Sequence, residues 1–253
     1  HLEVDGEHVA TDDDLVLRAA RQLRMAVDPS LPALRFTLHK RIPAAAGLGG
    51  GSSDAAAAID LALSAWGVHL HPAERLGAAA RIGADVPFFT AGHGASLIEG
   101  IGEHVTPLPA PDPPAGILLV TPAERLSTAS VFAEYDRQPA QGALERVDEV
   151  ASLMRDGVDG MTLAATTAML KDANDLWPSA LRLLPELAAL RASMAETIGH
   201  AVLLTGSGPT LVAVYPSEAA ATRAAVTLQS AATAGLEGAT IISTTTFGRA
   251  QEP

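Results

Sequence analysis

The sequence predicts an α+β protein built from two domains. Segments whose apolar residues recur at helical spacing are mixed with short segments of strand character. The segment Pro107–Pro114 holds five prolines in eight residues and is the linker-like stretch of the chain. We therefore expect one domain over 1–110 and another over 111–253, sizes that a chain of 253 residues accommodates.

Apolar spacing defines the elements of the first domain. Alternating apolar and polar residues from Leu34 to Ile42 predict a strand, with Phe36 on one face and Thr37 on the other. Helices are predicted over 13–27, over 55–66, where alanine-rich sequence indicates burial on most sides, and over 72–81. Gly83–Phe89 ends the last of these helices, and glycine-rich sequence of strand character continues to Val105.

The second domain mixes helices and strands in the same way. Gly206–Pro209 is a turn between two short apolar runs, which indicates that both runs are strands. The predicted strands cover 116–120, 201–205, 211–215 and 239–246, and the predicted helices cover 128–136, 143–155, 161–170, 178–195 and 217–234.

Composition limits the functions open to the chain. Hydrophobic residues make up 48% and charged residues 18%, which excludes a disordered or fibrous protein. The formal net charge of −12 disfavours nucleic acids and anionic membranes as partners, because both bind positive surfaces. Cysteine is absent, which excludes disulfides, thiolate catalysis and cysteine-based metal sites. The sequence shows no signal peptide and no apolar run of membrane-spanning length, so we expect a cytoplasmic protein.

Four glycines, at positions 47, 49, 50 and 51, precede Ser52-Ser53-Asp54 at the start of a predicted helix. Such a loop suits a phosphate, because unpaired N–H groups and the positive end of the helix dipole point the same way. A tight turn without a ligand is the alternative. The P-loop lysine and the third small residue of the dinucleotide fingerprint are missing, so both of those loops are rejected. A valine at Gly50 is expected to abolish nucleotide binding.

The run Pro43-Ala-Ala-Ala-Gly-Leu-Gly-Gly-Gly-Ser-Ser-Asp-Ala-Ala56 resembles the phosphate-binding motif of the GHMP kinase superfamily, which includes galactokinases, homoserine kinases and mevalonate kinases. Leu204–Thr210 is similar to the C-terminal glycine motif of the superfamily. Gly83–Phe89 resembles the signature of a narrower family, the 4-diphosphocytidyl-2-C-methyl-D-erythritol kinases. Further matches, in the order of the family, are Asp14–Ala20, Lys40–Pro43, Glu99–Glu103 and Asn174–Leu176.

The resemblance implies a first domain like ribosomal protein S5 domain 2 and a second, ferredoxin-like domain. It also implies ATP-dependent phosphorylation of the 2-hydroxyl of 4-diphosphocytidyl-2-C-methyl-D-erythritol, in the non-mevalonate route to isoprenoid precursors. Mg²⁺ is expected with ATP, and the protein is expected to be a monomer or a homodimer. Two alternatives stay open: another small-molecule GHMP kinase, or a nucleotide-binding protein without catalysis.

The resemblance also assigns site residues. Asp85 is implied to be the catalytic base. From the residues alone, the interpretation as a turn or capping aspartate is equally well supported. No protein metal ligand is expected. The residues implied to bind ATP and its phosphates are Asp14, Lys40, Pro43, Ala44, Ala45, Ala46, Gly47, Leu48, Gly49, Gly50, Gly51, Ser52 and Ser53. The residues implied to bind the substrate are Thr128, Gly206, Ser207 and Gly208.

Some positions depart from the pattern of the family. Asp14 stands where the family usually has an asparagine near the adenine, and an aspartate lacks the amide donor. For Lys40, a solvated cation at the end of a strand is the alternative to a nucleotide contact. The family places a Pro-Ala-Lys-x-Asn-like segment and an Asp-Gly-Tyr-His segment before the glycine loop, and neither precedes Pro43 here. We expect the natural protein to carry them on additional N-terminal residues.

Overall fold

The computed structural model describes residues 1–5, 14–137, 144–170, 172–231 and 235–246. The chain divides into two compact units, each described below by itself. The first unit comprises His1–Ala44 and Gly49–Pro107, and the second comprises Ala45–Leu48 and Leu108–Pro253. The division after Pro107 therefore lies at the start of the proline-rich segment, and four residues of the glycine loop group with the second unit.

The first unit mixes helices with short strands. Its elements are β1 (Leu2–Asp5), α1 (Leu15–Val27), β2 (Phe36–His39), α2 (Gly50–Trp66), α3 (Pro72–Ala80), α4 (Val86–Ala91), β3 (Ala95–Glu99) and β4 (His104–Leu108). The helices predicted over 13–27 and 72–81 are confirmed, except that residue 13 lies outside the described residues. The helix predicted over 55–66 begins earlier, at Gly50.

β1 and β2 form a parallel pair in which Leu2 lies opposite Phe36. Both side chains are buried, while Thr37 is exposed, so the predicted alternation in this strand is confirmed. The strand is shorter than predicted, with four residues instead of the span 34–42. β1 was not predicted, because four residues carry too little alternation to be recognised without their partner strand.

α2 packs against α1 and α4 and supplies much of the core of the first unit. Its small side chains allow the helix axes to approach closely, as the alanine-rich sequence suggests. The expectation that α2 is buried on most sides is wrong, because Leu61 is 62% exposed. The buried residues of α2 are Gly50, Ala55, Ala56, Ala58, Ile59, Ala62 and Leu63.

Gly83–Phe89 ends α3 as predicted, but it also starts a helix that was not predicted. α4 begins at Val86 with Pro87 in its first turn, where the missing N–H and the fixed φ of proline suit a helix. The strand character predicted after it is confirmed by β3 and β4, which form a two-stranded sheet.

The second unit surrounds a four-stranded sheet. Its elements are β5 (Gly116–Thr121), α5 (Thr128–Tyr135), α6 (Leu144–Arg155), α7 (Gly160–Met169), α8 (Trp177–Leu183), α9 (Glu186–Ile198), β6 (Leu203–Leu204), β7 (Leu211–Tyr215), α10 (Glu218–Ser230) and β8 (Thr240–Thr245). The single helix predicted over 178–195 is wrong. Pro185 disfavours helical backbone at the preceding residue, and Leu184 accordingly has φ −141° and ψ 79°.

The strands of the sheet lie in the order β6–β7–β5–β8, and every neighbouring pair is antiparallel. With helices between β5 and β6 and between β7 and β8, this is the βαββαβ arrangement of a ferredoxin-like fold, as expected. The core lies between the sheet and α9 and α10, where Leu118, Leu187, Leu211 and Leu228 are fully or almost fully buried. Within the described residues, no helix is long and apolar enough to cross a membrane.

Tyr215 is a buried titratable group in this core, 7% exposed and stacked on His200 with ring centroids 4.4 Å apart. Its hydroxyl has no hydrogen-bond partner among the described residues. Burial raises the pKa of Tyr215 to about 12. Because this pKa lies above the value of about 10 in an unfolded chain, the neutral phenol favours folding below pH 10, and this preference is lost as the pH rises through 12.

Tyr215→Phe is therefore expected to leave the free energy of unfolding near pH 7 unchanged, or to raise it by about 1 kcal/mol, because it removes a buried hydroxyl without a described partner. Between pH 10 and 12, the variant should lose less stability than the wild type. Urea unfolding of both proteins across this pH range measures the difference. A clear loss of stability at neutral pH would show instead that the hydroxyl has a partner.

Candidate active site

The glycine loop leads into α2 through residues with left-handed backbone. Ala45, Gly47 and Gly49 have φ of 57°, 73° and 66°. At Gly47, a Cβ atom would lie 2.7 Å from the carbonyl oxygens of Thr205 and Gly208, so backbone packs directly on backbone there. The loop therefore needs glycine both for its conformation and for this close approach.

The N-terminus of α2 presents backbone donors that the helix itself cannot satisfy. Gly49 is the N-cap residue and provides no side-chain hydrogen bond. The Ser53 N–H donates to the Gly49 carbonyl oxygen at 2.9 Å, whereas the N–H groups of Gly50, Gly51 and Ser52 have no backbone acceptor among the described residues. Three such donors at the positive end of a 17-residue helix are the kind of group to which an anion binds.

Lys40 lies beside this helix end. Its Nζ forms a close ion pair with Asp54 Oδ2 and lies 3.5 Å from where a Cβ atom of Gly50 would be. The Lys40 side chain is only 9% exposed, so the reading of a solvated cation at a strand end is wrong. Asp54 belongs to the glycine motif, but the sequence analysis predicts no role for it. The pairing of a lysine at a strand end with an acid in the next helix could have suggested one.

Asp14 caps the neighbouring helix α1, where its Oδ1 accepts a hydrogen bond from the Val16 N–H at 2.9 Å. The next residue, Leu15, reaches within 3.3 Å of where a Cβ atom of Gly51 would be. The start of α1 thus lies beside the glycine loop. The contact of Asp14 with an adenine stays a prediction.

Asp85 directly precedes α4 and is exposed. Its carboxylate makes no capping hydrogen bond to α4, which argues against the alternative of a capping aspartate. The carboxylate stays at the surface because Val86 and Pro87 take the buried positions of this segment. Phe89, on the first turns of α4, would touch a Cβ atom on Gly49 at 2.9 Å, so α4 adjoins the glycine loop.

The glycine motif of the second unit forms a tight, well-bonded turn between β6 and β7. Gly206 and Gly208 have φ of 48° and 75°. Ser207 is buried, and its Oγ lies 3.1 Å from Thr128 Oγ1, so two residues predicted to bind substrate are neighbours. The Thr210 N–H donates to the Ala46 carbonyl oxygen at 3.3 Å, which joins this turn to the start of the glycine loop.

Asn174 holds this turn by hydrogen bonds. The sequence analysis predicts no role for this residue, although Asn174–Leu176 resembles a segment of the family. Its Nδ2 donates to the carbonyl oxygens of Leu204 at 3.0 Å and Gly206 at 2.8 Å. Its Oδ1 accepts from the Leu176 N–H at 2.9 Å. One amide side chain therefore satisfies three backbone groups, which fixes the turn relative to α8.

A dedicated metal site is absent from the part of the chain that the structure describes. No three His, Asp or Glu side chains there converge on a point that could hold an ion. A divalent cation that accompanies a nucleotide needs few protein ligands, because the phosphates and water supply most of the oxygen atoms. The donors at α2 therefore suit a nucleotide phosphate without a protein cage for its metal.

Comparisons with known proteins identify the family of the chain. Residues 14–93 match the GHMP kinases N terminal domain, and residues 163–233 match the GHMP kinases C terminal domain. A 4-diphosphocytidyl-2-C-methyl-D-erythritol kinase of Cereibacter sphaeroides is 39% identical over 85% of this chain and 70% of its own length. The protein of that name in Moorella thermoacetica is 34% identical over 86% of this chain and 73% of its own length.

Solved structures agree with the sequence relatives. A crystal structure of 4-(cytidine 5'-diphospho)-2C-methyl-D-erythritol kinase matches 98% of this chain and 83% of its own, with a TM-score of 0.66 and 28% identity. Homoserine kinase from Cytophaga hutchinsonii shares the fold, with a TM-score of 0.68, at 14% identity. Since relatives of this name are 34% and 39% identical, and the matches to them span most of both chains, this chain belongs to the 4-diphosphocytidyl-2-C-methyl-D-erythritol kinase family within the GHMP kinases.

Proposed function

We propose that this protein transfers the γ-phosphoryl group of ATP to the 2-hydroxyl of 4-diphosphocytidyl-2-C-methyl-D-erythritol. The observation that carries the proposal is the set of unpaired N–H donors at the start of α2, in a chain that belongs to a family of kinases of this name. Phosphoryl transfer depends mainly on positioning and on electrostatic stabilisation, and backbone donors at the start of a helix would contribute to both.

The phosphates of ATP would be held by the loop from Pro43 to Ser53. The N–H groups of Gly50, Gly51 and Ser52 would donate to phosphate oxygens, and the dipole of α2 would favour their negative charge. Lys40 would place its positive charge beside this end of the helix. Because Asp54 already pairs with it, we assign to Lys40 a role in holding β2 against the phosphate loop in addition to its charge.

Asp85 would accept the proton of the substrate hydroxyl. The hydroxyl oxygen attacks the γ-phosphorus, the bond to the β,γ-bridging oxygen breaks, and ADP leaves with that electron pair. The hydroxyl proton passes to the Asp85 carboxylate, which is free of any described hydrogen bond or ion pair. Thr128, Ser207 and the glycines beside Ser207 would contact the substrate. Mg²⁺ would enter with ATP and offset the charge of its phosphates.

Another small-molecule GHMP kinase activity is the rival proposal. The homoserine kinase match supports it only at the level of the fold, since the identity is 14%. The identities of 39% and 34% to kinases of the proposed type, over most of each chain, favour the cytidylyl substrate.

Turnover of a panel of alcohols by the complete gene product tests the proposal. With ATP and Mg²⁺, ADP release should depend on 4-diphosphocytidyl-2-C-methyl-D-erythritol and should not rise with homoserine or mevalonate. Phosphorus NMR of the product should show a new phosphomonoester beside the intact diphosphate. Turnover of homoserine or mevalonate alone would favour the rival, and ATP binding without any transfer would favour a protein that lacks catalysis.

A further inference from the structure

Two of the matched segments, Gly83–Phe89 and Glu99–Glu103, meet in the first unit through backbone. Gly102, in the turn between β3 and β4, packs on Ala84, the residue before Asp85. A Cβ atom on Gly102 would lie 1.9 Å from the carbonyl oxygen of Ala84 and 2.6 Å from its carbonyl carbon. No side chain can occupy that position unless one of the two backbone segments moves.

The turn that carries Gly102 is itself closed by hydrogen bonds. The Gly102 N–H donates to the Glu99 carbonyl oxygen at 3.3 Å, and Glu103 Oε2 accepts from the Ile101 N–H at 2.6 Å. Hydrogen bonds from the N–H groups of Glu103 itself and of Ile101 hold the pKa of the Glu103 carboxyl below its usual range. Gly102 has φ of 102°, a conformation that glycine adopts at little cost.

Asp85 has little other support. Its carboxylate makes no capping hydrogen bond to α4. The segment before it includes Gly83, and glycine restricts the backbone dihedral angles less than any other residue type. The buried Val86 anchors the chain immediately after Asp85, and the Val86 N–H donates to the Gly83 carbonyl oxygen at 3.2 Å. The Gly102 contact fixes the other side of Asp85, at Ala84.

We propose that the β3–β4 turn, Glu99–Glu103, is a positioning element for Asp85, which acts through the backbone contact of Gly102 with Ala84. The inference rests on the proposed function, because it takes Asp85 as the base. We assign the turn no direct contact with a reacting atom. It limits the positions from which the Asp85 carboxylate can reach the substrate hydroxyl, and the rate of transfer is sensitive to displacements of about 1 Å.

Gly102→Ala is expected to lower kcat by roughly 10-fold to 100-fold in the complete gene product, with the KM for ATP little changed. The reason is that the new methyl group displaces Ala84 and with it Asp85. In an Asp85→Asn background, the same change should lower kcat no further, because its effect passes through the carboxylate. Amide hydrogen exchange should become faster at residues 84–86 in Gly102→Ala.

Two further variants keep the test decisive. Glu103→Ala removes the exposed carboxylate that closes the turn and adds no atom, so this variant should fold. Its amide hydrogens at residues 84–86 should exchange faster, and its kcat should fall by a smaller factor than that of Gly102→Ala. Gly92→Ala is the matched control: Gly92 has φ of 72°, and a Cβ atom there would meet no atom within 4 Å. It also places a side chain on backbone with positive φ in the same unit, but without a contact to Ala84, and it should keep its kcat.

Unchanged exchange at residues 84–86 in both Gly102→Ala and Glu103→Ala would overturn the inference. So would a further drop in kcat when either change is added to Asp85→Asn. If Gly102→Ala fails to fold, Glu103→Ala alone decides by the same two measurements. Failure of the proposed function is recognised separately, since Asp85→Asn by itself would then retain the kcat of the wild type.

Discussion

Asp85→Asn is expected to lower kcat by roughly 10²-fold to 10⁴-fold, the usual contribution of a positioned general base. Asparagine keeps the size of the side chain but cannot accept the hydroxyl proton. The KM for ATP should change little, because the unpaired N–H donors belong to α2 and not to the segment around Asp85. Steady-state turnover with both substrates, together with the affinity for ATP measured by calorimetry, separates these two effects.

Asp60→Asn is a suitable control for the loss of one negative charge in the same unit. Asp60 lies on the exposed side of α2 and pairs with Arg75 at 3.0 Å, with half of its side chain exposed. A surface ion pair of this kind contributes little to stability, so kcat and fold should both persist. If Asp85→Asn turned over as fast as Asp60→Asn, Asp85 would have no part in proton transfer.

Local patterns in the sequence predicted most of the fold. The alternation around Phe36 and the helical spacing after Pro72 depend on neighbouring residues, and these elements were placed correctly. The predicted helices were wrong where a single residue overrides the helical spacing of apolar residues. Pro185 divides the predicted long helix, and Pro87 starts a helix where only a break was expected. β1 depends on its pairing with β2, which a short segment does not reveal by itself.

Only part of the candidate site could be predicted from the sequence, because many of its contacts join residues far apart in the chain. The glycine loop is a local signal, and its unpaired donors agree with the predicted phosphate role. The pairing of Lys40 with Asp54, the bonds from Asn174 and the contact of Gly102 with Ala84 depend on folding. The exposure of Asp85 is likewise set by Val86, which takes the neighbouring buried position.

The position at which a side chain should disrupt phosphate binding also changes with the structure. Gly50, the site chosen from sequence, lies within α2, where a Cβ atom would meet the Ile42 side chain at 2.9 Å. A valine at Gly50 would therefore also disturb the packing of α2 against Ile42. Gly49 is the better site, because its φ of 66° is left-handed and it directly precedes the N–H donors. A Cβ atom there would meet only the far end of the Phe89 side chain, whereas at Gly50 it would meet Ile42 close to its backbone.

Gly49→Val is expected to weaken ATP binding by about 100-fold or more. A β-branched residue in left-handed backbone is strained by about 1–2 kcal/mol, and its Cβ would press on the Phe89 ring at 2.9 Å. The loop can relieve this strain by moving the N–H groups of Gly50 and Gly51 out of register with the phosphates. Since each lost charge-assisted hydrogen bond costs about 1.5–3 kcal/mol, two suffice for the predicted loss.

Gly67→Val provides the matched control at the other end of the same helix. Gly67 also has φ of 66°, and a Cβ atom there would meet no atom within 4 Å. Both variants should lose stability from backbone strain in thermal unfolding, Gly49→Val somewhat more because of Phe89, while only Gly49→Val should lose affinity for ATP in calorimetric titration. Equal, unreduced affinity in both variants would mean that the glycine loop is a turn that binds no phosphate.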